Sequence, residues 1–263
     1  MSVTSSSVRP GIAGGYAWGV LNALQFLFTV LWTGVLLGPA LLLLVLCGGR
    51  RRWPLRMASR IWAPGLLAGA GVRLELEGFE AIDFSKPHII VANHQSMIDV
   101  CVLYRALPVP LRFVLKQELA HVPLVGWYAR AMGMVFIERE AARKAARRLK
   151  DAHELFAAGD SLCAFPEGTR SRDGRVGSFK GGVFKLAIES GVPILPVAIE
   201  GSGQVLPASG FRVRPGCIRL RAGEPISTHD LQVSDRNMLA RRCRDAVIAL
   251  LDQAVPGPDP AER

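Results

Sequence analysis

The sequence predicts an α/β domain whose mixed, largely parallel sheet is covered by helices and preceded by an N-terminal membrane-embedded helical segment. Two observations predict this organisation. Residues 10–49 contain no charged side chain, and beyond residue 72 short apolar runs alternate with helical patterns. A chain of 263 residues, 50% of them hydrophobic, is long enough for one large domain. We therefore expect a membrane anchor over residues 1–71, a globular domain over residues 72–255 and a flexible tail over residues 256–263.

The apolar segment is longer than a secretory signal requires. A signal peptide has an apolar region of about 7–15 residues, and no convincing cleavage site precedes a polar mature start here. A straight helix over residues 16–47 would measure about 48 Å against a hydrocarbon core of about 30 Å, so it must tilt, kink or turn back. Gly38-Pro39 is the expected break, because proline interrupts helices. A single span and a helical hairpin in one leaflet are both compatible with the segment.

A cluster of arginines follows the apolar segment. Three occupy positions 50–52, and Arg56 and Arg60 come next. By the positive-inside rule this end and everything downstream lie in the cytoplasm, and the same cluster would attract anionic headgroups. Residues 61–72 carry few charges, which favours a second, interfacial helix. We expect the globular domain at the cytoplasmic face of a membrane, which we take to be a bacterial inner membrane.

The whole chain is basic. Its 32 Lys and Arg residues against 22 Asp and Glu give a net charge of +10 and a pI near 10.0. This predicts an anionic partner, which can be nucleic acid, a phosphate-bearing substrate or an anionic lipid. The five cysteines are odd in number and form no C-x-x-C pair, which argues against both a zinc site and a disulfide framework. We expect mostly buried thiols in a reducing compartment, and the spacing of the five histidines predicts no metal site.

Short apolar runs, and over residues 72–77 an alternation of apolar and charged residues, predict seven strands in the globular domain. They cover residues 72–77, 88–92, 112–115, 134–137, 161–165, 194–199 and 217–222. Helical patterns cover residues 97–107, 140–158 and 234–254. The helix over residues 140–158 has a basic face, which we interpret as solvent-exposed rather than as a ligand patch. Strands alternating with helices favour a largely parallel sheet.

Residues 93–99, NHQSMID, lie where a buried strand passes into a helix. Two helical positions five residues apart lie about 140° apart around the axis, so His94 and Asp99 cannot both be mid-helix partners. With His94 in the turn and Asp99 in the first helical turn, the carboxylate can reach one imidazole nitrogen. The other nitrogen is then free to accept a proton from a substrate hydroxyl. The alternative interpretation is structural, because Ser96 and Asp99 also fit an S-x-x-D capping box.

Cations follow three of the predicted strands. Lys116 and Arg139 each come just after a strand, and residues 165–171, FPEGTRS, follow another. In this turn Gly168 permits close backbone approach, and Arg170 can clasp phosphate with two donors. Ligands of α/β sheets gather where strands end, so the three cations indicate an anion site. The turn alone is also compatible with a charged loop that contains a local Glu167–Arg170 pair.

Four sequence blocks appear in a fixed order: residues 93–99, NHQSMID; 133–139, GMVFIER; 165–171, FPEGTRS; and 192–197, VPILPV. Together they resemble the glycerophospholipid acyltransferases of the 1-acylglycerol-3-phosphate (lysophosphatidate) type. Residues 116–119, KQEL, with Pro123 and Gly126, resemble the family's segment between the first two blocks, and residues 179–182, FKGG, resemble its connection from the third to the fourth. The resemblance extends from about residue 78 to residue 198. Each block alone is weakly specific, whereas four in order are strongly specific.

The resemblance implies transfer of a fatty acyl group from acyl-CoA or acyl-carrier protein to the free sn-2 hydroxyl of lysophosphatidate, giving phosphatidate. His94 would be the general base, and Asp99 would orient it. The implied substrate-binding residues are Lys116, Arg139, Glu167, Gly168, Thr169 and Arg170. Neither a metal nor a cofactor is implied. The implied partners are the lysophospholipid, the thioester donor and a membrane with anionic lipid, but not nucleic acid.

Two other functions are compatible with the sequence. The same chemistry on another lyso-lipid acceptor, such as lyso-ornithine lipid, would use the same blocks. A basic, membrane-anchored protein that only binds lipid or nucleic acid would account for the charge and the anchor, but it would leave His94 and Asp99 without a use. Serine hydrolases and nucleotide enzymes are disfavoured, because G-x-S-x-G, the P-loop and G-x-G-x-x-G are all absent.

Overall fold

A seven-stranded sheet forms the centre of the globular domain. The computed structural model describes residues 12–49, 51–122, 125–137 and 142–252. The strands within these ranges are β1 (Val72–Glu77), β2 (Ile89–Ala92), β3 (Leu111–Lys116), β4 (Val135–Ile137), β5 (Ser161–Ala164), β6 (Ile194–Glu200) and β7 (Gly216–Ala222). All seven predicted strands are confirmed, with every end within one residue of the prediction.

The strand order is β1-β7-β6-β2-β5-β3-β4. Strands β6, β2, β5, β3 and β4 run parallel, whereas β7 pairs antiparallel with β6 and parallel with β1. The predicted mixed, largely parallel sheet is therefore confirmed. Every residue of β2 is buried, as expected for a parallel strand covered on both faces. This burial explains why β2 appears in the sequence as a continuous apolar run.

Helices cover both faces of the sheet. The helices are α1 (Ile12–Leu46), α2 (Arg52–Met57), α3 (Ala63–Gly69), α4 (Asp99–Ala106), α5 (Val125–Ala131), α6 (Ala142–Ala157), α7 (Gly182–Ser190), α8 (Ser202–Val205) and α9 (Arg236–Asp252), with a π-helical turn at Ala58–Trp62 between α2 and α3. One face packs against α3 and α4, and the other against α6, α7 and α9. The predicted helices over residues 97–107, 140–158 and 234–254 correspond to α4, α6 and α9.

The N-terminal segment folds into a helical hairpin. The chain leaves α1, turns at residues 47–49, and returns alongside α1 as α2, the π-helical turn and α3. The two arms are joined by reciprocal hydrogen bonds, because the Trp32 indole donates to the Trp62 carbonyl and the Trp62 indole donates to Thr33 Oγ1, both at 3.1 Å. Gly65 lets the arms approach, since a Cβ there would lie 2.4 Å from the Trp32 ring. The described part of this segment is thus a helical hairpin, whereas its placement in one leaflet stays a prediction.

The predicted break at Gly38-Pro39 is wrong, because α1 continues through Pro39. A proline removes only one hydrogen bond from this helix of 35 residues, and in an apolar setting the surrounding backbone has no better partner than the helix itself. The reversal instead uses Gly48 and Gly49, which both have positive φ. The predicted interfacial helix over residues 61–72 also differs, since the returning arm begins at Arg52 and ends at Gly69.

One face of α1 is fastened to the globular domain, and the opposite face is exposed. Asn22 Oδ1 accepts a hydrogen bond from the Val213 amide at 2.7 Å, and Phe26 packs edge-on against Phe211. Over Trp18–Leu46, α1 is the one helix in the described part of the chain that is long and apolar enough to cross a membrane. Its exposed apolar surface suggests membrane association. The division into anchor, globular domain and tail stays a prediction, and residues 253–263 lie outside the described ranges.

A buried ion pair joins two strands of the sheet close to the hairpin turn. Arg112, at the start of β3, donates from Nε and from its terminal nitrogen to Asp160, which is 4% exposed and precedes β5. Arg51 lies beside this pair and donates to the carbonyl of Ala131 at 2.8 Å. Burial and the neighbouring Arg112 lower the pKa of Arg51, whereas Asp160 raises it. Asp160 is thus the counter-charge for two guanidinium groups.

We predict that Asp160→Asn lowers the free energy of unfolding by about 3–5 kcal/mol, because it leaves the Arg112 guanidinium buried without a counter-charge. The matched control is Asp151→Asn on the exposed surface of α6, with an expected change below about 0.5 kcal/mol. Urea unfolding in detergent micelles, followed by tryptophan fluorescence, measures both. Equal midpoints for the two variants would contradict a structural role for the pair.

Candidate active site

The sequence-predicted site residues follow the carboxyl ends of neighbouring parallel strands. Residues 93–99 follow β2, residues 165–171 follow β5, and Lys116 ends β3. Because β2 pairs with β5 and β5 pairs with β3, these segments meet at one edge of the sheet. Arg139 lies outside the described residues, just beyond the end of β4. Its predicted role therefore stays a prediction.

Asp99 is the buried centre of the loop after β2. It is the first residue of α4, and its side chain is fully buried. Its Oδ2 accepts three hydrogen bonds, from His94 Nδ1 at 2.7 Å, from the Gln95 amide at 2.8 Å and from the Ser96 amide at 2.9 Å. Its Oδ1 is buried without a partner among the described residues. The predicted contact between His94 and Asp99 is thus present. The Asp99 carboxylate is removed from water by its burial, which is costly unless donors surround it.

The imidazole of His94 is held in one orientation. A carboxylate on Nδ1 fixes the proton on that nitrogen and leaves Nε2 as the acceptor. The ring also stacks on Phe165, with 3.9 Å between ring centroids and 12° between ring planes. The His94 side chain is only 15% exposed, so rotation away from Asp99 would disrupt packing as well as a hydrogen bond. This arrangement suits a general base that acts through Nε2.

The capping-box interpretation of the same loop is partly right. The Ser96 amide donates to the Asp99 carboxylate, which is one half of a capping box. The other half differs, because Ser96 Oγ accepts from the Ile98 amide and donates to the carbonyl of Leu206 at 2.6 Å. The Asp99 carboxylate therefore stabilises the start of α4 and holds the imidazole at the same time.

Glu167 is turned inward and clamps the backbone of the loop. Its Oε1 accepts from the His94 amide at 2.9 Å, and its Oε2 accepts from the Gly177 amide at 2.8 Å. The His94 carbonyl accepts from the Ser171 amide at 2.7 Å, so the 165–171 turn holds both sides of the His94 backbone. Glu167 is 6% exposed. The alternative of a local Glu167–Arg170 ion pair is therefore wrong, since both carboxylate oxygens bind backbone amides.

Asn93 fastens the same loop to the neighbouring strand β6, a role not predicted from the sequence. Its side-chain amide donates to the Ile199 carbonyl at 2.8 Å, and its carbonyl oxygen accepts from the Ile199 amide at 2.7 Å. The side chain replaces a backbone partner at the end of β2, and Asn93 is 1% exposed. The sequence signal that could have predicted this role is an asparagine directly after an apolar strand.

A cavity of about 400 Å³ is lined by the end of β3, the turn after β5 and the segment that leads into α7. Lys116 and Gly168, which has a φ of +71°, both line it. Phe165, which stacks on His94, lines the same cavity and connects it to the imidazole. The predicted ligands Thr169 and Arg170 follow Gly168 on the same turn, with Thr169 exposed and Arg170 half-buried. The structure thus brings seven of the eight predicted site residues to one edge of the sheet: His94, Asp99, Lys116, Glu167, Gly168, Thr169 and Arg170.

Two buried cysteines lie near the site, but neither suits nucleophilic chemistry. Burial and, to a lesser extent, the charge of Asp99 raise the pKa of the Cys101 thiol to about 12. The same two causes raise the pKa of the Cys163 thiol well above its usual value. Both thiols therefore stay protonated near neutral pH, whereas a cysteine nucleophile needs the thiolate. Within the described ranges no cluster of three or more His, Cys, Asp or Glu residues is placed to hold a metal ion.

Comparison with known proteins identifies the class to which this site belongs. The Acyltransferase family model matches residues 73–200. A protein from Arabidopsis thaliana named 1-acyl-sn-glycerol-3-phosphate acyltransferase LPAT1, chloroplastic, is 36% identical over 59% of this chain and 44% of its own length. A protein from Pseudomonas aeruginosa named 1-acyl-sn-glycerol-3-phosphate acyltransferase is 36% identical over 62% of each chain. The chain therefore spans about half to two thirds of the length of these relatives.

The fold is also that of a solved relative. The crystal structure of the 1-acyl-sn-glycerophosphate (LPA) acyltransferase PlsC from Thermotoga maritima matches with a TM-score of 0.70 and 28% identity, over 90% of this chain and 99% of that one. The chain thus shares an α/β acyltransferase fold with this relative. Through residues 73–200 the chain belongs to the Acyltransferase family. The resemblance predicted from the four sequence blocks is confirmed.

We predict that Glu167→Gln lowers kcat for acyl transfer about 10- to 100-fold and leaves KM for the acceptor nearly unchanged. The amide nitrogen of Gln cannot accept a hydrogen bond, so one backbone clamp is lost and His94 moves from its working position. Asp173→Asn, at an exposed position in the same connection, is the matched control and should retain both constants. Steady-state kinetics separates the two possible roles. A raised KM with an unchanged kcat would instead identify Glu167 as a substrate ligand.

Proposed function

We propose that the protein is a membrane-bound acyltransferase that moves a fatty acyl group from acyl-CoA or acyl-carrier protein to the sn-2 hydroxyl of lysophosphatidate, giving phosphatidate. One observation carries the proposal: a buried carboxylate holds the His94 imidazole with Nε2 free, beside a cavity flanked by a cation. The printed names of the relatives support the acceptor. The roles that follow are parts of this proposal.

His94 Nε2 removes the proton from the acceptor hydroxyl as its oxygen attacks the thioester carbonyl. Asp99 stabilises the imidazolium that forms, because its Oδ2 already accepts the Nδ1 proton at 2.7 Å. The new C–O bond forms, the C–S bond of the tetrahedral intermediate breaks, and the thiolate takes the proton from Nε2. Atoms and charge balance without a covalent acyl-enzyme, in agreement with the protonated state of the nearby thiols.

The turn after β5 offers candidates to stabilise the oxyanion. The amides of Gly168 and Ser171 already donate to the carbonyls of Phe165 and His94. The amides of Thr169 and Arg170 lie between these two and make no backbone hydrogen bond among the described residues. Backbone amides held in a tight turn cost little reorganisation. We assign the oxyanion site to this pair.

The cations around the cavity favour an acceptor that carries a negative charge. Lys116 lines the cavity, and Arg170 lies on the turn that borders it. A guanidinium and an ammonium together suit a phosphate monoester, which carries close to two negative charges at neutral pH. Arg139 is a further phosphate ligand in this proposal. The family resemblance implies that Glu167 binds substrate. In this proposal Glu167 is instead a positioning residue, because its inward carboxylate binds the backbone amides of His94 and Gly177.

The hairpin supports attachment to one leaflet of the membrane rather than a span. Asn22 of α1 bonds to Val213, and Arg51, just after α1, bonds to Ala131, so α1 is fixed to the globular domain near both ends. The intervening stretch of α1 is about 36 Å long, more than the hydrocarbon core of about 30 Å. A helix fixed in this way cannot cross the bilayer without its domain. The exposed face of α1 would then lie among the acyl chains, with the arginines near anionic headgroups on the cytoplasmic side.

We predict that His94→Ala lowers the rate of acceptor-dependent thiol release about 10²- to 10⁴-fold, the usual contribution of a general base. The control is His153→Ala on the exposed surface of α6, which should keep the wild-type rate. The assay measures free thiol from acyl-CoA or acyl-carrier protein in the presence of lysophosphatidate. Equal rates for wild type and His94→Ala would rule out the mechanism and favour a protein that only binds lipid.

A product analysis distinguishes among the possible acceptors. Mass spectrometry of the products, with lysophosphatidate and lyso-ornithine lipid offered side by side and with each donor in turn, identifies the preferred pair. The cations at the cavity predict a preference for the phosphate-bearing acceptor. Faster acylation of lyso-ornithine lipid would move the function to the alternative acceptor while leaving the chemistry in place.

A further inference from the structure

Lys180 belongs to a motif, residues 179–182, for which the resemblance gives no role. Its amide donates to the Pro166 carbonyl at 3.0 Å, which fixes its backbone to the turn after β5. Its side chain runs over Gly168, because a Cβ on that residue would lie 2.6 Å from Lys180 Nζ. The absence of a side chain at position 168 therefore makes room for the ammonium group of Lys180.

Lys180 and Lys116 line the same cavity of about 400 Å³, with Gly168 also in its lining. Lys116 reaches the cavity from the end of β3, and Lys180 reaches it from the segment that leads into α7. Most of the remaining lining is apolar, and Glu118 is the one carboxylate in it. Both lysine side chains are exposed, and the cavity that they share borders Phe165 and, through it, the His94 ring.

The charges of these two lysines are not balanced by the described part of the chain. No carboxylate among the described residues lies within ion-pair distance of Lys116 or Lys180. Lys185, five residues further along, differs because it pairs with Glu189 on the same helix at 3.6 Å. Two like charges at one cavity repel each other, and an anion bound between them relieves that repulsion. The pair therefore has the character of an anion site.

We propose that Lys180 and Lys116 together bind a phosphate group of a substrate at this cavity, with Gly168 required so that Lys180 can reach it. This inference rests on the proposed acyl transfer, since both substrates of that reaction carry phosphate esters. The phosphate belongs either to the lysophosphatidate acceptor or to the phosphopantetheine arm that acyl-CoA and acyl-carrier protein share. The chemistry recognised is the same, and the experiment distinguishes the two sources.

The kinetic test compares Lys180→Met and Lys180→Arg with the matched control Lys185→Met in the full-length protein. Lys180→Met should raise one KM about tenfold, as expected for loss of a charge-assisted hydrogen bond, with little change in kcat. A raised KM for lysophosphatidate identifies the acceptor as the source, and a raised KM for the thioester identifies the donor. Lys180→Arg should recover much of the affinity, and Lys185→Met should behave as wild type. Unchanged values of both KM constants in Lys180→Met would overturn the inference.

A binding measurement keeps this result separate from the proposed activity. Lysines of the wild-type protein are acetylated briefly with and without lysophosphatidate or CoA, and modification at each site is quantified by mass spectrometry. The probe that carries the recognised phosphate should protect Lys180 and Lys116, whereas Lys185 should react equally in all samples. Protection without turnover would support the phosphate site and contradict the acyl-transfer proposal. Turnover by the wild type without protection of Lys180 would contradict the site alone.

Discussion

The site depends on one carboxylate oxygen. Asp99 Oδ2 accepts hydrogen bonds from the His94 ring and from two successive amides, inside a fully buried position at the start of α4. A buried charge must be matched by donors, and these three bonds simultaneously fold the loop, begin the helix and fix the imidazole tautomer. Removing any one of them would leave a desolvated charge with fewer partners. The geometry of His94 is therefore a consequence of how Asp99 is satisfied.

The same loop is held by its neighbours on both sides in the sheet. Asn93 binds the backbone of β6 through Ile199, while Glu167, from the turn after β5, binds the amide of His94. Because β2 lies between β6 and β5, one loop at its end can be fastened to both neighbours. A parallel sheet brings such loops to a common edge, and this is the physical reason why distant parts of the sequence form one site. The cavity and its two lysines lie along that edge.

Sequence patterns predicted the features that depend on local periodicity. The seven strands are short apolar or alternating stretches, and the pairing of His94 with Asp99 follows from their spacing across a strand-to-helix turn. Those patterns could not predict features that depend on tertiary contacts. The inward carboxylate of Glu167 could not be predicted, because its donors lie 73 and 10 residues away. The uninterrupted α1 was missed for a related reason, since local propensity at Pro39 carries no information about the surrounding helix and its apolar environment.

The central claim, that Asp99 holds His94 as a base acting through Nε2, is tested most directly by the protonation of the His94 ring. Nitrogen-15 chemical shifts of histidine-labelled protein in micelles, assigned with His94→Gln, report which ring nitrogen carries the proton. The account predicts that the neutral His94 ring carries its proton on Nδ1 and leaves Nε2 bare. It also predicts that Asp99→Asn populates the opposite tautomer. A wild-type ring protonated on Nε2 alone would contradict the account.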